Sequence, residues 1–320
     1  MKCAYIRHAQ KEERIESLKP KMFSHIIRWY QKKRGIIETK KIENGYVHLL
    51  PYQKEEEITE KQLKKIARHL NSLLYKEIVS TVVLSNSLFE KQVLKNELYG
   101  NNIHILEGSS LYFAMVPEII EYISYWQQRE MEKQDITILV NEYTQNTLLQ
   151  LIHLAQKVRN LKIVTNHMNT FKTLENHLYD TMGIVITLSN NKRKSLSREE
   201  MIINFDFPEE LIKTYRINRT AIIINVGNKI ESLPNSFDGI MINGIQITLP
   251  DDLKEKLQKD DILQDFNETV LYESWMDRKR LEMLQSQIKK DKIAIAGLVG
   301  NNGIISKDEY KRVNQRKVAG

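Results

Sequence analysis

The residues best suited to chemistry fall in five short polar loops, each following an apolar run. They are Asn141-Glu142-Tyr143-Thr144, Asn166-His167, Ser189-Asn190-Asn191-Lys192-Arg193-Lys194, Asp206-Phe207-Pro208 and Gly227-Asn228. Asn141, Thr144, Asn166, His167, Ser189 and Asn190 offer the hydrogen-bonding groups that grip a small polar ligand. Lys192, Arg193 and Lys194 would hold an anion by charge rather than by backbone amides. Each group also has a plainer role. Asn141 and Asn166 suit helix caps, Asp206 suits a cap for the helix behind Pro208, and the basic run suits a solvated loop.

The segments between these loops explain why they would converge. Ile136–Val140, Leu161–Thr165, Gly183–Leu188, Met201–Phe205, Thr220–Val226 and Ile240–Ile247 are short apolar runs with the length and β-branched content of buried strands. Helical spacing separates the first three, through Leu148, Leu151, Ile152 and Ala155 and then Phe171, Leu174 and Leu178. Alternation of this kind predicts parallel strands joined by right-handed crossovers. Ligands of such sheets bind outside the carboxyl ends of the strands, where the loops above begin.

The stretch from Ile138 to Ile184, ILVNEYTQNTLLQLIHLAQKVRNLKIVTNHMNTFKTLENHLYDTMGI, resembles the first half of the NAD(P)-binding domain of the shikimate dehydrogenase and glutamyl-tRNA reductase group. That group carries an Asn-Arg-Thr-type tripeptide after its second strand, and Asn166-His167-Met168 stands in the matching place. The resemblance implies a Rossmann-like doubly wound parallel α/β sheet at 135–250. A separate N-terminal α/β domain with a linker helix would occupy 1–131, and a mainly helical C-terminal segment 251–320. It implies NAD(P) as cofactor, with Asn141, Thr144, Asn166, His167, Ser189, Asn190, Lys192 and Arg193 at its site.

The departures from that pattern bear on function. Dinucleotide binders place Gly-x-Gly-x-x-Gly after the first strand so that backbone N–H groups can approach the pyrophosphate. Here the place reads Val140-Asn141-Glu142-Tyr143-Thr144-Gln145-Asn146, without glycine. Glu142 would repel a phosphate, Tyr143 would fill its space, and His167 replaces the arginine that holds a 2′-phosphate. No Lys–Asp pair in the first domain matches the catalytic dyad of shikimate dehydrogenases.

In the first hundred residues, Ala4–Ile6, Tyr46–Leu50, Ser80–Leu84 and Ile103–Leu106 read as strands. Helices are expected at Met22–Tyr30, from a capping box at Thr59 with Leu63, Ile66 and Leu70 inward, through Leu88, Leu94 and Leu98, and from Pro117 to Met131. The opening Tyr5-Ile6-Arg7-His8-Ala9 resembles the Arg-His-Gly motif of histidine phosphatases, and Ser85-Asn86-Ser87 that family's later serine segment. Alanine follows His8 and Glu90 stands where a second arginine belongs, so His8 is expected to be a surface or partly buried strand residue. Toward the end of the chain, Glu268–Lys290 is helical, IAIAGLVG is strand-like, and Ser306-Lys307-Asp308-Glu309 is a capping box.

Composition narrows the function classes. Of the 320 residues 41% are hydrophobic and 28% charged, an ordinary globular balance. The net charge of +7 is spread through mixed Lys/Glu helix faces, which argues against nucleic acid as a partner. No apolar run approaches the about 20 residues of a membrane span, and a single cysteine excludes an internal disulfide and a cysteine metal cluster. With a charged opening segment, these features make the cytoplasm the expected location. No histidine pair has metal spacing: His167 and His177 lie ten residues apart. The expectation is a noncatalytic or regulatory Rossmann-like protein that binds a nucleotide, another small anion or a protein partner. The alternative is an NAD(P)-dependent oxidoreductase of shikimate dehydrogenase type with an altered cofactor site.

Overall fold

Two α/β units account for residues 2–9, 30–52, 57–227, 229–234, 236–260, 262–276 and 280–311, those that the computed structural model describes. One unit comprises Met1–Gly108 with Leu249–Arg278, the other Ser109–Thr248 with Lys279–Gly320. The grouping differs from a simple linear division. The helix around Pro117 joins the second unit, and the C-terminal segment is shared between both.

The first unit is a five-stranded sheet. Its strands are β1 (Cys3–His8), β2 (Glu38–Ile42), β3 (Gly45–Leu50), β4 (Thr81–Leu84) and β5 (His104–Ile105), in the order β2-β3-β1-β4-β5. All neighbours pair in parallel except β2, which forms an antiparallel hairpin with β3. Helix α1 (Glu60–Glu77) crosses from β3 to β4 and turns Leu63, Ile66, Ala67, Leu70 and Leu74 inward. Its capping box forms as the sequence predicts, with Gln62 N donating to Thr59 and Thr59 N to Gln62. The single helix expected through Leu88 and Leu98 is two, α2 (Asn86–Phe89) and α3 (Gln92–Tyr99), broken at Glu90-Lys91. The helix expected at Met22–Tyr30 lies, apart from Tyr30, outside the described residues. Residues 268–290, expected as one helix, form Glu268–Trp275 here and Leu281–Lys290 in the other unit.

At the carboxyl end of β1, Arg7 and His8 are buried rather than presented. His8 Nδ1 lies 3.2 Å from the Tyr52 carbonyl, and the Arg7 guanidinium lies 3.7 Å from the Asp265 carboxylate. Asp265 thus brings negative charge to the place where a phosphatase would receive a phosphoryl group.

Opposite Thr39 of the edge strand β2, His48 of β3 is fully buried, with Nδ1 3.0 Å from Thr39 Oγ1 and Nε2 3.1 Å from the Glu77 carboxylate. Burial lowers the His48 pKa to about 4 and raises that of Glu77. A histidine whose folded pKa lies below its unfolded value stabilises the fold above the unfolded pKa, and the contribution is lost as pH falls. Glu77 acts in the opposite sense. Unfolding stability is therefore expected to drop by on the order of 1–3 kcal/mol between pH ~6.5 and ~4. Denaturant titrations of wild type and His48→Gln check this; equal pH slopes for the two would contradict it.

The second unit begins with α4 (Ser109–Ala114) and α5 (Val116–Gln127), separated at Met115. Its main sheet contains β6 (Asp135–Leu139), β7 (Asn160–Val164), β8 (Ile186–Ser189), β9 (Met201–Asn204), β10 (Ile222–Asn225) and β11 (Ile240–Ile242). Their order is β11-β10-β9-β6-β7-β8, and every neighbouring pair is parallel. Counted along the chain and read from the β8 edge, this is the doubly wound order 3-2-1-4-5-6.

The two halves of the sheet are crossed differently. Helices α6 (Gln145–Ala155) and α7 (Met168–Met182) connect β6, β7 and β8. Between β8 and β9 the chain runs without a helix, and only the four-residue α8 (Glu209–Ile212) lies between β9 and β10. Thr137 and Lys162 fasten the helix-free crossover to the sheet, both donating to the Glu199 carboxylate, at 2.7 and 2.9 Å. Leu196, Phe207, Ile212, Tyr215 and Ile230 then supply the apolar cover that helices would otherwise provide.

The strand expected at 240–247 is two. β11 stays in the parallel sheet, whereas β12 (Gly244–Thr248) pairs antiparallel with β13 (Ala294–Gly300), which pairs with β14 (Gly303–Ile304). Asn243 marks the break, its backbone N–H donating to Val299 O.

Candidate functional site

The carboxyl ends of β6 and β9 are neighbours at the point where strand order reverses, and Asp206 follows β9. Asn204 holds the turn that presents it, its side chain accepting from Phe207 N at 2.8 Å and donating to Phe207 O at 3.0 Å. From there the Asp206 carboxylate crosses to the loop after β6. Its oxygens accept from Asn141 N at 2.8 and 2.9 Å and from Glu142 N at 2.5 Å. These are amides of the loop through which the fold ordinarily binds pyrophosphate.

Asp206 therefore does not cap α8, whose first turn has no side-chain cap. The backbone pair at the end of the neighbouring strand β6 is the better partner for its carboxylate. Burial raises the Asp206 pKa, and the Glu142 carboxylate adds to the shift. The two donated amides and His167 oppose it. Burial outweighs the hydrogen bonds because the low-dielectric turn penalises the charged form.

Neighbouring loops are closed in the same manner. Asn141 Oδ1 accepts from Asn166 N at 2.8 Å, and Thr165 Oγ1 accepts from His167 N at 3.0 Å. Asn141 thus ties two loops together rather than capping a helix. The cap of α6 is Thr144, which accepts from Thr147 N at 3.1 Å. His167 occupies the N-cap position of α7 without a side-chain cap bond. Tyr143 sets its ring edge-on against Phe171 of α7, 5.4 Å between centroids.

Beyond β8, the Ser189 hydroxyl lies 2.5 Å from that of Ser195. Asn191 Oδ1 takes the N–H groups of Arg193 and Lys194 at 3.0 and 3.1 Å. Asn190, Lys192 and Arg193 are exposed. Along this edge, amides that would face an anion are taken by the chain's own side chains.

A cleft of about 310 Å3 opens beside the Asp206 turn. Phe113, Phe205, Val226, Leu281 and Leu284 form its apolar wall, and Ser109, Ser110, Thr144 and Thr147 supply hydroxyls. Its charged lining consists of the carboxylates of Glu142 and Asp206. Of the eight site residues read from sequence, Thr144 alone lines it; Asn141, Asn166 and His167 brace the loops behind it. The helix Leu281–Lys290, which brings Leu281 and Leu284, is fixed by Gln285. That side chain donates to Gln150 Oε1 at 2.9 Å and to Ala114 O at 3.3 Å, and Gln150 donates to Phe113 O.

Gly227 completes the wall, and a Cβ there would stand 1.9 Å from the Phe205 carbonyl oxygen. Asp206 and Gly227 were visible as loop residues in the sequence. Ser109 and Phe113 carried no local signal, because only the tertiary fold brings them to the sheet edge, whereas the Leu281 helix lies within the helical stretch expected at Glu268–Lys290. Among the described residues, no group of three His, Cys, Asp or Glu side chains is arranged to hold a metal ion, and no helix is long and apolar enough to cross a membrane.

No family model and no curated protein sequence matches the chain. Solved structures give weak likenesses. L-tryptophan dehydrogenase from Nostoc punctiforme is 12% identical over 90% of this chain and 79% of its own, with a TM-score of 0.33. The A chain of dipicolinate synthase from Bacillus subtilis is 8% identical over 81% and 76%, with a TM-score of 0.37. Ornithine transcarbamoylase from Giardia lamblia is 8% identical over 74% and 78%, with a TM-score of 0.31. Strand order, 3-2-1-4-5-6 with every pair parallel, is what defines the fold of the second unit. The second unit is Rossmann-like. Its reversal point carries an acidic cleft where the usual domain carries a glycine-rich anion seat.

Proposed function

We propose that the Rossmann-like unit is a noncatalytic ligand-binding module that recognises a small molecule with an ammonium head and an apolar body. The observation that carries this reading is the Asp206 carboxylate on Asn141 N and Glu142 N. With that anion built in, a phosphate brought to the same loop meets occupied amides and two carboxylates. An ammonium group meets the opposite situation: Glu142 and Asp206 attract it, the hydroxyls of Thr144 and Ser110 complete its hydrogen bonds, and Phe113, Phe205, Leu281 and Leu284 take its apolar body. The shikimate dehydrogenase-type alternative requires NAD(P) to displace Asp206 from both amides and to tolerate Glu142.

Thermal shift separates the two readings, since a ligand at ~100 times its dissociation constant adds ~2.7 kcal/mol. Phenethylamine and alkylamines of similar size are expected to stabilise the wild type, and Asp206→Asn to remove the effect. Stabilisation by NAD(H) or NADP(H) that is lost on Thr144→Val, with none by the amines, would overturn the proposal in favour of the oxidoreductase.

A further inference from the structure

At the opposite end of the same strands, a cavity of about 750 Å3 opens beside Thr220 and Asp238, which precede β10 and β11. It lies within the range of about 300–1,000 Å3 typical of small-molecule sites. The cavity follows from the irregular crossovers of the second half-sheet, where coil stands in place of helix. Ile217, Pro234 and Phe237 form its apolar side.

Its polar side is cationic. The Arg219 guanidinium is engaged, with Nη2 2.8 Å from Asp238 and Nε donating to Ser236 O, so that pair is neutral. Arg216 is exposed and has no carboxylate partner among the described residues. Its backbone N–H donates to Lys192 O at 2.8 Å, and Leu196 and Ile217 form a parallel bridge just beyond. The basic run Lys192-Arg193-Lys194 therefore borders Arg216, and all three side chains are exposed. Tyr215, also in the wall, is 4% exposed, and its hydroxyl has no hydrogen-bond partner among the described residues. A buried phenol without a partner is uncommon in a finished core and suits a wall completed by a ligand.

We infer that this cavity binds a phosphate monoester carried on a planar ring, a ligand of mononucleotide size. Arg216 holds the phosphate, for which a guanidinium fork is a matched donor, and the ring lies against Phe237. The site is independent of the acidic cleft and takes a ligand of opposite charge.

Isothermal titration of the full chain with adenosine 5′-monophosphate, phenyl phosphate, inorganic phosphate and adenosine tests the assignment. Saturable binding of at least one of the two monoesters is expected, with inorganic phosphate competing and adenosine at least tenfold weaker than its monophosphate. Arg216→Ala is expected to weaken monoester binding at least tenfold without lowering the melting temperature, and Asp206→Asn to leave it unchanged. Absence of saturable binding by both monoesters, or binding indifferent to Arg216→Ala, overturns the inference. Loss on Asp206→Asn with Arg216→Ala silent moves the anion into the acidic cleft and overturns both this inference and the amine reading. Amine binding that fails while the monoester result holds removes the cleft proposal alone.

Discussion

Replacing Asp206 with alanine is expected to lower unfolding stability by about 1–3 kcal/mol and to abolish ligand binding at the acidic cleft. Among the described residues, the amides of Asn141 and Glu142 both donate to this carboxylate. A hydrogen bond to a charged group contributes ~1.5–3 kcal/mol. Two effects reduce the net loss. Burial already penalises the ionised carboxylate, and the freed Glu142 amide is exposed enough to rehydrate. Asp206→Asn keeps one acceptor oxygen and should lose about half as much. Urea unfolding followed by circular dichroism gives the number. A loss under ~0.5 kcal/mol for the alanine variant, the range of an ordinary surface substitution, would mean that the carboxylate does not hold the loop.

Gly227→Ala is expected to cost about 2–4 kcal/mol, more than overpacking by one methyl usually does. The new Cβ would stand 1.9 Å from Phe205 O and 3.5 Å from Asp206 Cα. Both are backbone atoms, so no side-chain rotation relieves the clash. The ends of β9 and β10 would have to separate, carrying the Asp206 turn with them, and amine binding should disappear together with the stability. Gly244→Ala is the control, because its Cβ would meet nothing nearer than Val299 Cβ at 3.7 Å. Equal melting temperatures for the two variants would contradict the close approach at Gly227.

How much of this was legible in the sequence depended on burial. The parallel strands of the second unit could be read because buried β-branched runs such as Ile222–Asn225 have no other use at that length. β2, ETKKI, could not be read. It is an edge strand with four of its five residues exposed, and its charges protect the edge while erasing the apolar alternation. The turn dipeptide Asn243-Gly244 interrupts the stretch Ile240–Ile247, but nothing local announces that the strand beyond it pairs in a different sheet.

The candidate site was legible to the level of its loops. Those loops follow from strand order, and the missing glycines after β6 were plain. The compensating anion was not, because Asp206 lies 65 residues from Asn141 and its local context suggested a helix cap. Lys192 and Arg193 stood out as a basic run, but their neighbour Arg216 is brought alongside only by the helix-free crossover.

In this Rossmann-like unit the Asp206 carboxylate occupies the amides of the loop after β6. The most direct measurement is the pH titration of the Asn141 and Glu142 amide resonances in wild type and Asp206→Asn, with and without NADH. Both amides are expected to titrate together in the wild type, with a midpoint raised above the ordinary aspartate range, to lose that transition in Asp206→Asn, and to stay unmoved by NADH. Amide resonances that shift on adding NADH and titrate identically in both proteins would contradict it.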